Sequence, residues 1–539
     1  MAEEISQVKK PLNANQLAGL IFVTALVFGV WLRLNPVLLA GFPMNDGGMF
    51  FRMIEELRQN HYALPAYTSY NNQQIPFDYP PLAFYLAGFA ADLFRISVTS
   101  VLLWLPAIFN IATIPAFYLL ANEILETRLK AALAAFLYTF LPLSMDWFLM
   151  GGGLTRGLGQ LCLILTCWGA LRLFRQPSRS ALVSTILSGA VVVLCHPESA
   201  LLTVLSAVVI WLFSSRSRQT IGLGLGVTAG IAVLAAPWFI TVVSIHGLAP
   251  FLKASQTNGN DLFLWTKILT FDFTQEPTPT FIAILGLIGL FAKISQKKYF
   301  LPVWLIVPFF IDPRSSSRAA ILPLAMLASI CLVDIVLPAL KSFATGASDS
   351  QPSGSFPASL AGYLLSFFLL FNFIINGYNL GLKMAANRLG TTDQQAMAWV
   401  QQNTPPAGNF VIVTGEQQLL RDPVQEWFPA LTGRTSQTTL QGREWTWGNK
   451  FIQSVLTFGD LQGCITQDAQ CVSSEARKLG LPFDFLYVKK PENSVCSTGE
   501  NCRYNGKSLI DDLKRSAEYR LVYENDGATI FTKTGSFTP

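Results

Sequence analysis

Long apolar runs alternate with short polar turns over most of the chain. Runs of roughly 17–25 residues recur from Leu17 to Leu380, and most are long enough to cross a bilayer as α-helices. From about Lys383 onward the sequence becomes the mixed polar and apolar pattern of a soluble domain. The pattern predicts a polytopic α-helical membrane domain over 1–382 and a globular domain over 383–539.

The segment after the first apolar run, "GFPMNDGGMFFRMIEELRQ", predicts an amphipathic helix. Its apolar residues fall on one helical face and its charged residues on the other. The apolar set is Met49, Phe50, Met53, Ile54 and Leu57. Such a helix is expected to lie along a membrane surface, with Asn45 or Asp46 capping its free N–H groups.

The positions of lysine and arginine predict the topology. With a cytoplasmic N-terminus, the short basic turns at 126–130, 172–179, 216–218 and 293–298 all fall in the cytoplasm, as does the linker beginning at Lys341. Segment 79–94 is apolar but short and contains Asp92, which favours an interfacial or re-entrant helix. This assignment gives about eleven spans, a first outer loop at 35–97 and an extracytoplasmic C-terminal domain. The protein is expected in the plasma (inner) membrane.

The composition agrees with a membrane protein. Hydrophobic residues make up 51% of the 539 positions and charged residues only 13%, about half of the usual share in soluble proteins. Because the basic residues serve topology, the net charge of +5 does not indicate a nucleic-acid partner. The polar start of the chain and the first apolar run together predict a signal anchor.

The cysteines divide between the two predicted parts. Four lie in apolar runs and are expected to pack in the core: Cys162, Cys167, Cys195 and Cys331. The other four form two close pairs in the C-terminal domain. In an oxidising compartment their spacing predicts Cys464–Cys471 and Cys496–Cys502 disulfides, although other connectivities remain open.

Ionisable residues gather at the predicted outer ends of the spans, where burial near lipid is costly and function is the default hypothesis. They are Asp46, Asp78, Asp146, Arg156, His196, Glu198, Arg314 and Arg318. Arginine pairs bind phosphate through bidentate charged bonds, and carboxylates bind divalent cations or deprotonate hydroxyls. Together these residues predict a site for an anionic, lipid-linked substrate.

Each candidate also has a purely structural explanation. The acidic residues could cap helices or lie solvated in loops. The pair in "CHPES" could mark a tight turn, and the arginines could be interfacial anchors that reach toward water.

The order of these parts resembles the GT-C superfamily of membrane glycosyltransferases, over roughly residues 17–340. The resemblance is carried by "MNDGGMFFRMIEEL", "DYPPLAFYLAGFAADLF", "ETRLK" and "RSSSRAAILPLAML". It implies a GT-C fold, a polyprenyl-phosphate sugar donor, and Asp46 as base or metal ligand. Asp146 would match a second acidic position that helps to hold a divalent cation (Mg²⁺ or Mn²⁺). In this chain Gly47 and Gly48 stand where many members carry a second acid.

Two main functions and one weaker one follow as hypotheses. The first is an inverting glycosyltransferase whose acceptor is a lipid, a glycan or a protein. Arg314 and Arg318 would bind the donor phosphate, while Asp78, Asp146, Arg156, His196 and Glu198 would bind acceptor or metal. The alternative is a transporter or flippase of a lipid-linked or small anionic substrate, which would place its charges near the midplane. A catalytically inactive scaffold that binds cell-wall components is a third, weaker option.

The C-terminal pattern predicts a small α/β domain. "NFVIVTG" and "FDFLYVKK" read as strands, and Asp526-Gly527 predicts a hairpin between the last two strands. Segment 426–449 is either an ordinary packed loop or a flap that contacts sugar through Trp427, Trp445 and Trp447.

Overall fold

The computed structural model describes residues 13–214, 216–257, 272–278, 280–340, 358–490 and 506–534. Its first part consists mainly of helices. These are α1 (Ala14–Ala40), α2 (Gly48–Gln59), α3 (Leu82–Phe94), α4 (Val98–Ile124), α5 (Arg128–Phe140), α6 (Asp146–Leu149), α7 (Gly153–Arg175), α8 (Arg179–Val193), α9 (Pro197–Phe213), α10 (Arg218–His246), α11 (Ala249–Ser255), α12 (Phe281–Ser295), α13 (Phe300–Ile311), α14 (Ser317–Cys331) and α15 (Ala358–Ala386).

The second part is a five-stranded sheet with helices on it. Its helices are α16 (Thr391–Asn403), α17 (Pro423–Thr432), α18 (Glu444–Trp447), α19 (Lys450–Gln462), α20 (Ala469–Lys478) and α21 (Lys507–Arg515). The strands are β3 (Asn409–Val413), β4 (Thr435–Ser436), β5 (Phe485–Lys489), β6 (Tyr519–Glu524) and β7 (Ala528–Lys533), in the order β4-β3-β5-β7-β6. A two-stranded ribbon, β1 (Tyr67–Thr68) with β2 (Ile75–Pro76), lies in the first outer loop.

The first part is an integral membrane bundle. Among the described residues, five helices are long and apolar enough to cross a bilayer, or six when the pair Arg128–Phe140 and Pro142–Leu149, bent by 86°, counts as one span. Five further apolar helices, α3, α8, α9, α12 and α13, are shorter. The total of about eleven spans would need most of these to cross as well, so it stays a prediction, as does the orientation.

The bend between α5 and α6 is held by a buried arginine on α1. Arg33 is fully buried and donates to the side chains of Asn110, at 2.6 Å, and Ser144, at 3.2 Å. Its guanidinium also reaches the carbonyl oxygen of Thr139, at 3.4 Å, near the end of α5. These bonds satisfy polar groups that a broken helix leaves unpaired in an apolar region.

The predicted amphipathic helix is present as α2, and its five predicted apolar residues are all buried. They pack on protein, with the rings of Phe50 and Phe84 of α3 4.9 Å apart. The predicted capping is wrong. The N-cap is Gly47, and Glu426 of the sheet part accepts the N–H groups of Gly47, at 3.2 Å, and Met49, at 3.1 Å. A residue distant in the chain therefore caps α2, which leaves the Asp46 carboxylate for other contacts.

The sheet confirms the predicted strands. β6 and β7 pair antiparallel across Asp526-Gly527, and β3 lies parallel to β5. The Cys464–Cys471 disulfide is present, and the four cysteines of the helical part are buried and free. Cys496 and Cys502 lie outside the described residues. The helix α15 runs through the predicted boundary at 382–383, which stays a prediction.

The sheet part is bonded to the first outer loop. Asn71 exchanges two hydrogen bonds with the backbone of Ser436, at 3.0 and 2.7 Å, and the Tyr70 hydroxyl donates to the carbonyl of Glu426 at 2.7 Å. These buried contacts fix the loop and the sheet part together at one end of the bundle, where the charged residues gather.

Candidate active site

A cavity of about 670 Å³ lies between the sheet part and the loops at this end of the bundle. Six of the eight ionisable residues singled out from the sequence line it: Asp46, Arg156, His196, Glu198, Arg314 and Arg318. Residues of the sheet part, including Arg421, Glu444 and Trp445, close the opposite side. We call this space the charged cavity.

Asp46 is held against the start of α7. Its Oδ1 accepts the N–H of Gly152 at 2.7 Å, and its Oδ2 binds the guanidinium of Arg156. The glycine run "GGG" makes this approach possible, because a Cβ on Gly152 would lie 2.5 Å from Oδ2 of Asp46. Gly47 has φ +120°, a backbone conformation that few other residues adopt. The glycines around Asp46 thus serve its close packing.

A second ion pair, absent from the sequence-based hypotheses, lies beside the first. Arg421 of the sheet part binds Asp146 at 3.3 Å, and Asp146 is buried. The guanidiniums of Arg156 and Arg421 both lie over the ring of Trp147, 5.2 and 4.7 Å from its centroid. Asp146 is therefore a paired buried residue and not a solvated loop residue. It lies beside the charged cavity and does not line it.

The two predicted phosphate-binding arginines differ in their contacts. Arg318, in the first turn of α14, donates to Glu198 at 2.7 Å. Arg314 lies in the turn before α14 and is exposed to the charged cavity. Within the described ranges it forms neither a hydrogen bond nor an ion pair. Arg314 is thus a cation whose donors remain open to a ligand.

His196 has a structural role at the start of α9. Its Nδ1 accepts the N–H of Ser199 at 3.2 Å, which caps the helix. Burial lowers the pKa of His196 to about 3, so the imidazole is neutral at pH 7. The expected tight turn is therefore present, and a contact of His196 with acceptor stays a prediction.

Asp78 lies outside the charged cavity and is fully buried. Neither of its carboxyl oxygens has a hydrogen-bond partner in another described residue. It does not cap α3, whose N-cap is Pro81. Burial raises the pKa of Asp78 to about 8 and that of the neighbouring Glu444 to about 6. Asp78 is therefore a protonated acid at neutral pH, suited to packing and not to binding a cation.

The residues present do not fit a divalent cation well. Among the described residues, no group of three or more His, Cys, Asp or Glu side chains could hold one. The carboxylates of Asp46 and Asp146 each already contact a guanidinium, from Arg156 and Arg421. A cation would have to displace these arginines or be repelled by them.

Of the three tryptophans in segment 426–449, Trp445 alone lines the charged cavity. Trp427 is buried and donates to the carbonyl of Asn45 at 3.1 Å, and Trp447 lies against Arg443. The ring of Tyr79 contacts Trp445 with centroids 6.0 Å apart. The segment is mostly packed structure, and one of its aromatic residues faces the cavity.

Comparisons with known proteins agree with this architecture. Residues 78–243 match the family model described as dolichyl-phosphate-mannose-protein mannosyltransferase. ArnT from Cupriavidus metallidurans is similar in structure, with a TM-score of 0.52 and 14% identity over 96% of this chain and 98% of that one. The oligosaccharyltransferase AglB from Archaeoglobus fulgidus gives a TM-score of 0.52 and 13% identity over 97% and 75% of the two chains. The chain has the GT-C fold.

A third GT-C neighbour is the arabinofuranosyltransferase AftD from Mycobacteria, with a TM-score of 0.54 and 15% identity. The alignment covers 97% of this chain but 40% of AftD. No functionally curated protein matches the sequence. The predicted resemblance to the fold of GT-C membrane glycosyltransferases is thus confirmed.

Arg421 and Glu426 were not predicted from the sequence. Both lie in the sheet part. Arg421 binds Asp146 of α6, and Glu426 accepts the N–H of Gly47 in the first outer loop. No local pattern marks them, because their partners lie far away along the chain. Glu444 was not predicted either; it lies in "REWTWGN", where the prediction named the tryptophans Trp445 and Trp447.

Proposed function

We propose that this protein transfers a sugar from a polyprenyl-phosphate donor to an acceptor at the membrane surface on the side of the sheet part. The observation that carries the proposal is that Asp46 and the open donors of Arg314 line one cavity at one end of a GT-C bundle. The match of residues 78–243 to the mannosyltransferase family model supports it, as does the structural neighbour AglB, which was solved with a dolichol-phosphate.

Arg314 and Arg318 are proposed to bind the donor phosphate. A planar guanidinium makes paired, charge-assisted bonds to phosphate oxygens. Arg314 has its donors free, while the bond from Arg318 to Glu198 fixes the orientation of that side chain. As the bond between the anomeric carbon and the phosphate oxygen breaks, negative charge builds on the phosphate, and these cations stabilise it.

Asp46 is the proposed base. It would accept the proton of the acceptor hydroxyl while that oxygen attacks the anomeric carbon from the face opposite the phosphate, which inverts the configuration. The N–H of Gly152 and the guanidinium of Arg156 hold the carboxylate in place. A base must lie within hydrogen-bond reach of its proton, and Asp46 lines the cavity where the acceptor would bind.

In this proposal the positive charge beside the carboxylates comes from arginine. Arg156 and Arg421 already neutralise Asp46 and Asp146, so a divalent cation would have to compete with these arginines for the two carboxylates. The role that a cation plays in some GT-C enzymes would then be filled here by the two guanidiniums.

Trp445 is proposed to contact the sugar ring. It lines the charged cavity next to Tyr79 and Phe251, so three aromatic side chains form one patch of the lining. Apolar C–H groups of a sugar pack on aromatic faces while its hydroxyls bond to charged groups.

The test is transfer from a panel of radiolabelled polyprenyl-phosphate sugars by purified full-length protein. The parent should release or transfer sugar, an Asp46→Asn variant should not, and the exposed Asp511→Asn variant should behave as the parent. Equal activity of the parent and Asp46→Asn would overturn the assignment of Asp46. Movement of labelled donor across proteoliposomes without hydrolysis or transfer would replace the transferase by the transporter.

A further inference from the structure

A second cavity, of about 410 Å³, lies at the other end of the bundle. The helix α7 has 23 residues, begins beside Asp46 and ends at Arg175 in the wall of this cavity, so the two sites are about 34 Å apart. Its remaining walls come from the α4–α5 turn, the end of α9, the α12–α13 turn and the end of α14. The cavity is therefore separate from the charged cavity and takes no part in the proposed transfer.

The lining of this second cavity is strongly basic. Its basic side chains are Lys130, Arg175, Lys293, Lys297 and Lys298, and among the described residues that line it Glu126 is the one acid. Glu126 lies 3.4 Å from Lys130 and 3.5 Å from Lys298, and Asp334 outside the wall lies 2.9 Å from Lys130. Five cations thus share two carboxylates, which leaves a surplus of positive charge.

Membrane topology does not by itself explain this arrangement. Basic residues in short turns orient a membrane protein, but that effect requires neither a shared cavity nor burial. Three turns that are separate in the sequence meet here, and Lys130 and Lys293 are 6% and 8% exposed. The Lys293 ammonium donates to the neutral amide oxygen of Gln296 at 3.4 Å. Burying an ammonium group in this way is costly unless an anion compensates it.

The rest of the wall is mostly apolar. Leu125, Leu171, Ile210 and Ile330 line it, and Phe213 and Tyr299 stand exposed at its edge, at 44% and 46%. Exposed tyrosine is typical of the level of lipid headgroups. The cavity therefore combines a cationic wall with a surface suited to hydrocarbon.

We propose that this second cavity binds the phosphate of an anionic lipid, with the lipid chains along its apolar wall. Basic pockets between transmembrane helices hold anionic headgroups through the same charges. The proposal is independent of the sugar transfer at the other end of the bundle.

The experiment is native mass spectrometry of the full-length protein in detergent, incubated with phosphatidylglycerol, phosphatidylcholine or inorganic phosphate. The test variant is Lys293→Gln with Lys297→Gln, and Lys293→Arg keeps the charge at the buried position. The matched control is Arg218→Gln, since Arg218 is an exposed basic residue near the same end that does not line the cavity.

Phosphatidylglycerol should stay bound to the parent, to Lys293→Arg and to Arg218→Gln, and bind at least about tenfold more weakly to the double variant. Phosphatidylcholine should bind equally and weakly to all. If Arg218→Gln loses as much phosphatidylglycerol binding as the double variant, the binding is a general attraction of the lipid to surface charge, and the proposal is overturned. If inorganic phosphate binds the parent as tightly as phosphatidylglycerol does, the lipid assignment is overturned in favour of a free phosphate.

Discussion

The carboxylate of Asp46 is bound by the guanidinium of Arg156, one turn into α7. Both side chains are largely buried, so each neutralises a charge that the interior would otherwise leave unpaired. The pair also ties the first outer loop to the helix that crosses the bundle. Asp46 therefore has a structural role, as the partner of Arg156, in addition to its proposed role as the base. The variants below distinguish the two roles.

Asp46→Asn should lower sugar transfer by about 10²–10⁴-fold, the range for loss of a general base. It should also lower the thermal stability, because Arg156 loses its partner. The double variant with Asp46→Asn and Arg156→Gln removes both charges, so it should regain stability but stay inactive. Initial rates and melting temperatures of the three proteins check this. An active double variant would show that Asp46 is only a structural partner of Arg156.

Arg314→Gln should lower transfer by about 10²–10³-fold with little change in melting temperature, since within the described part of the chain Arg314 forms neither a hydrogen bond nor an ion pair. Arg318→Gln should lower both transfer and stability, because it leaves Glu198 unpaired. The exposed Arg477→Gln variant is the control for loss of a cation elsewhere. Donor-dependent rates compared with melting temperatures distinguish the two arginines. Unchanged transfer in Arg314→Gln would remove it from the donor site.

Chelation with EDTA should leave the rate of transfer unchanged, because Arg156 and Arg421 already supply positive charge beside Asp46 and Asp146. Adding Mg²⁺ or Mn²⁺ to the chelated protein should likewise have no effect on the rate. The measurement is initial transfer with each metal added back after EDTA. A loss of activity that one of these ions restores would show that a cation displaces the arginines during catalysis.

Local sequence patterns predicted much of this structure, but they did not predict contacts between residues that lie far apart in the chain. The face of α2 and the β6–β7 hairpin follow from periodicity and from turn residues, so both were predicted. Charged residues at the ends of apolar runs share one side of a bundle, which explains why most of them line one cavity. The capping of α2 by Glu426 and the pairing of Arg421 with Asp146 depend on how two separate parts pack.

The buried acid Asp78 predicts that stability depends on pH. Its pKa is raised from 3.8 to about 8 in the folded protein, so the folded state binds a proton that the unfolded chain has lost in this range. The free energy of unfolding should therefore fall as pH rises from about 4 to about 8, by up to about 1.4 kcal/mol per pH unit for this group. Below pH 4 both states are protonated, and the contribution is constant.

Asp78→Asn tests this sign, because asparagine resembles the protonated acid and cannot ionise. The parent should melt at a lower temperature at pH 8 than at pH 5, and the variant should show a smaller difference. Some dependence should remain, since burial also raises the pKa of Glu426 to about 8. The exposed Asp511→Asn variant should keep the slope of the parent. Equal slopes for Asp78→Asn and the parent would mean that Asp78 is ionised in the folded protein, with its charge balanced by a group that approaches it in solution.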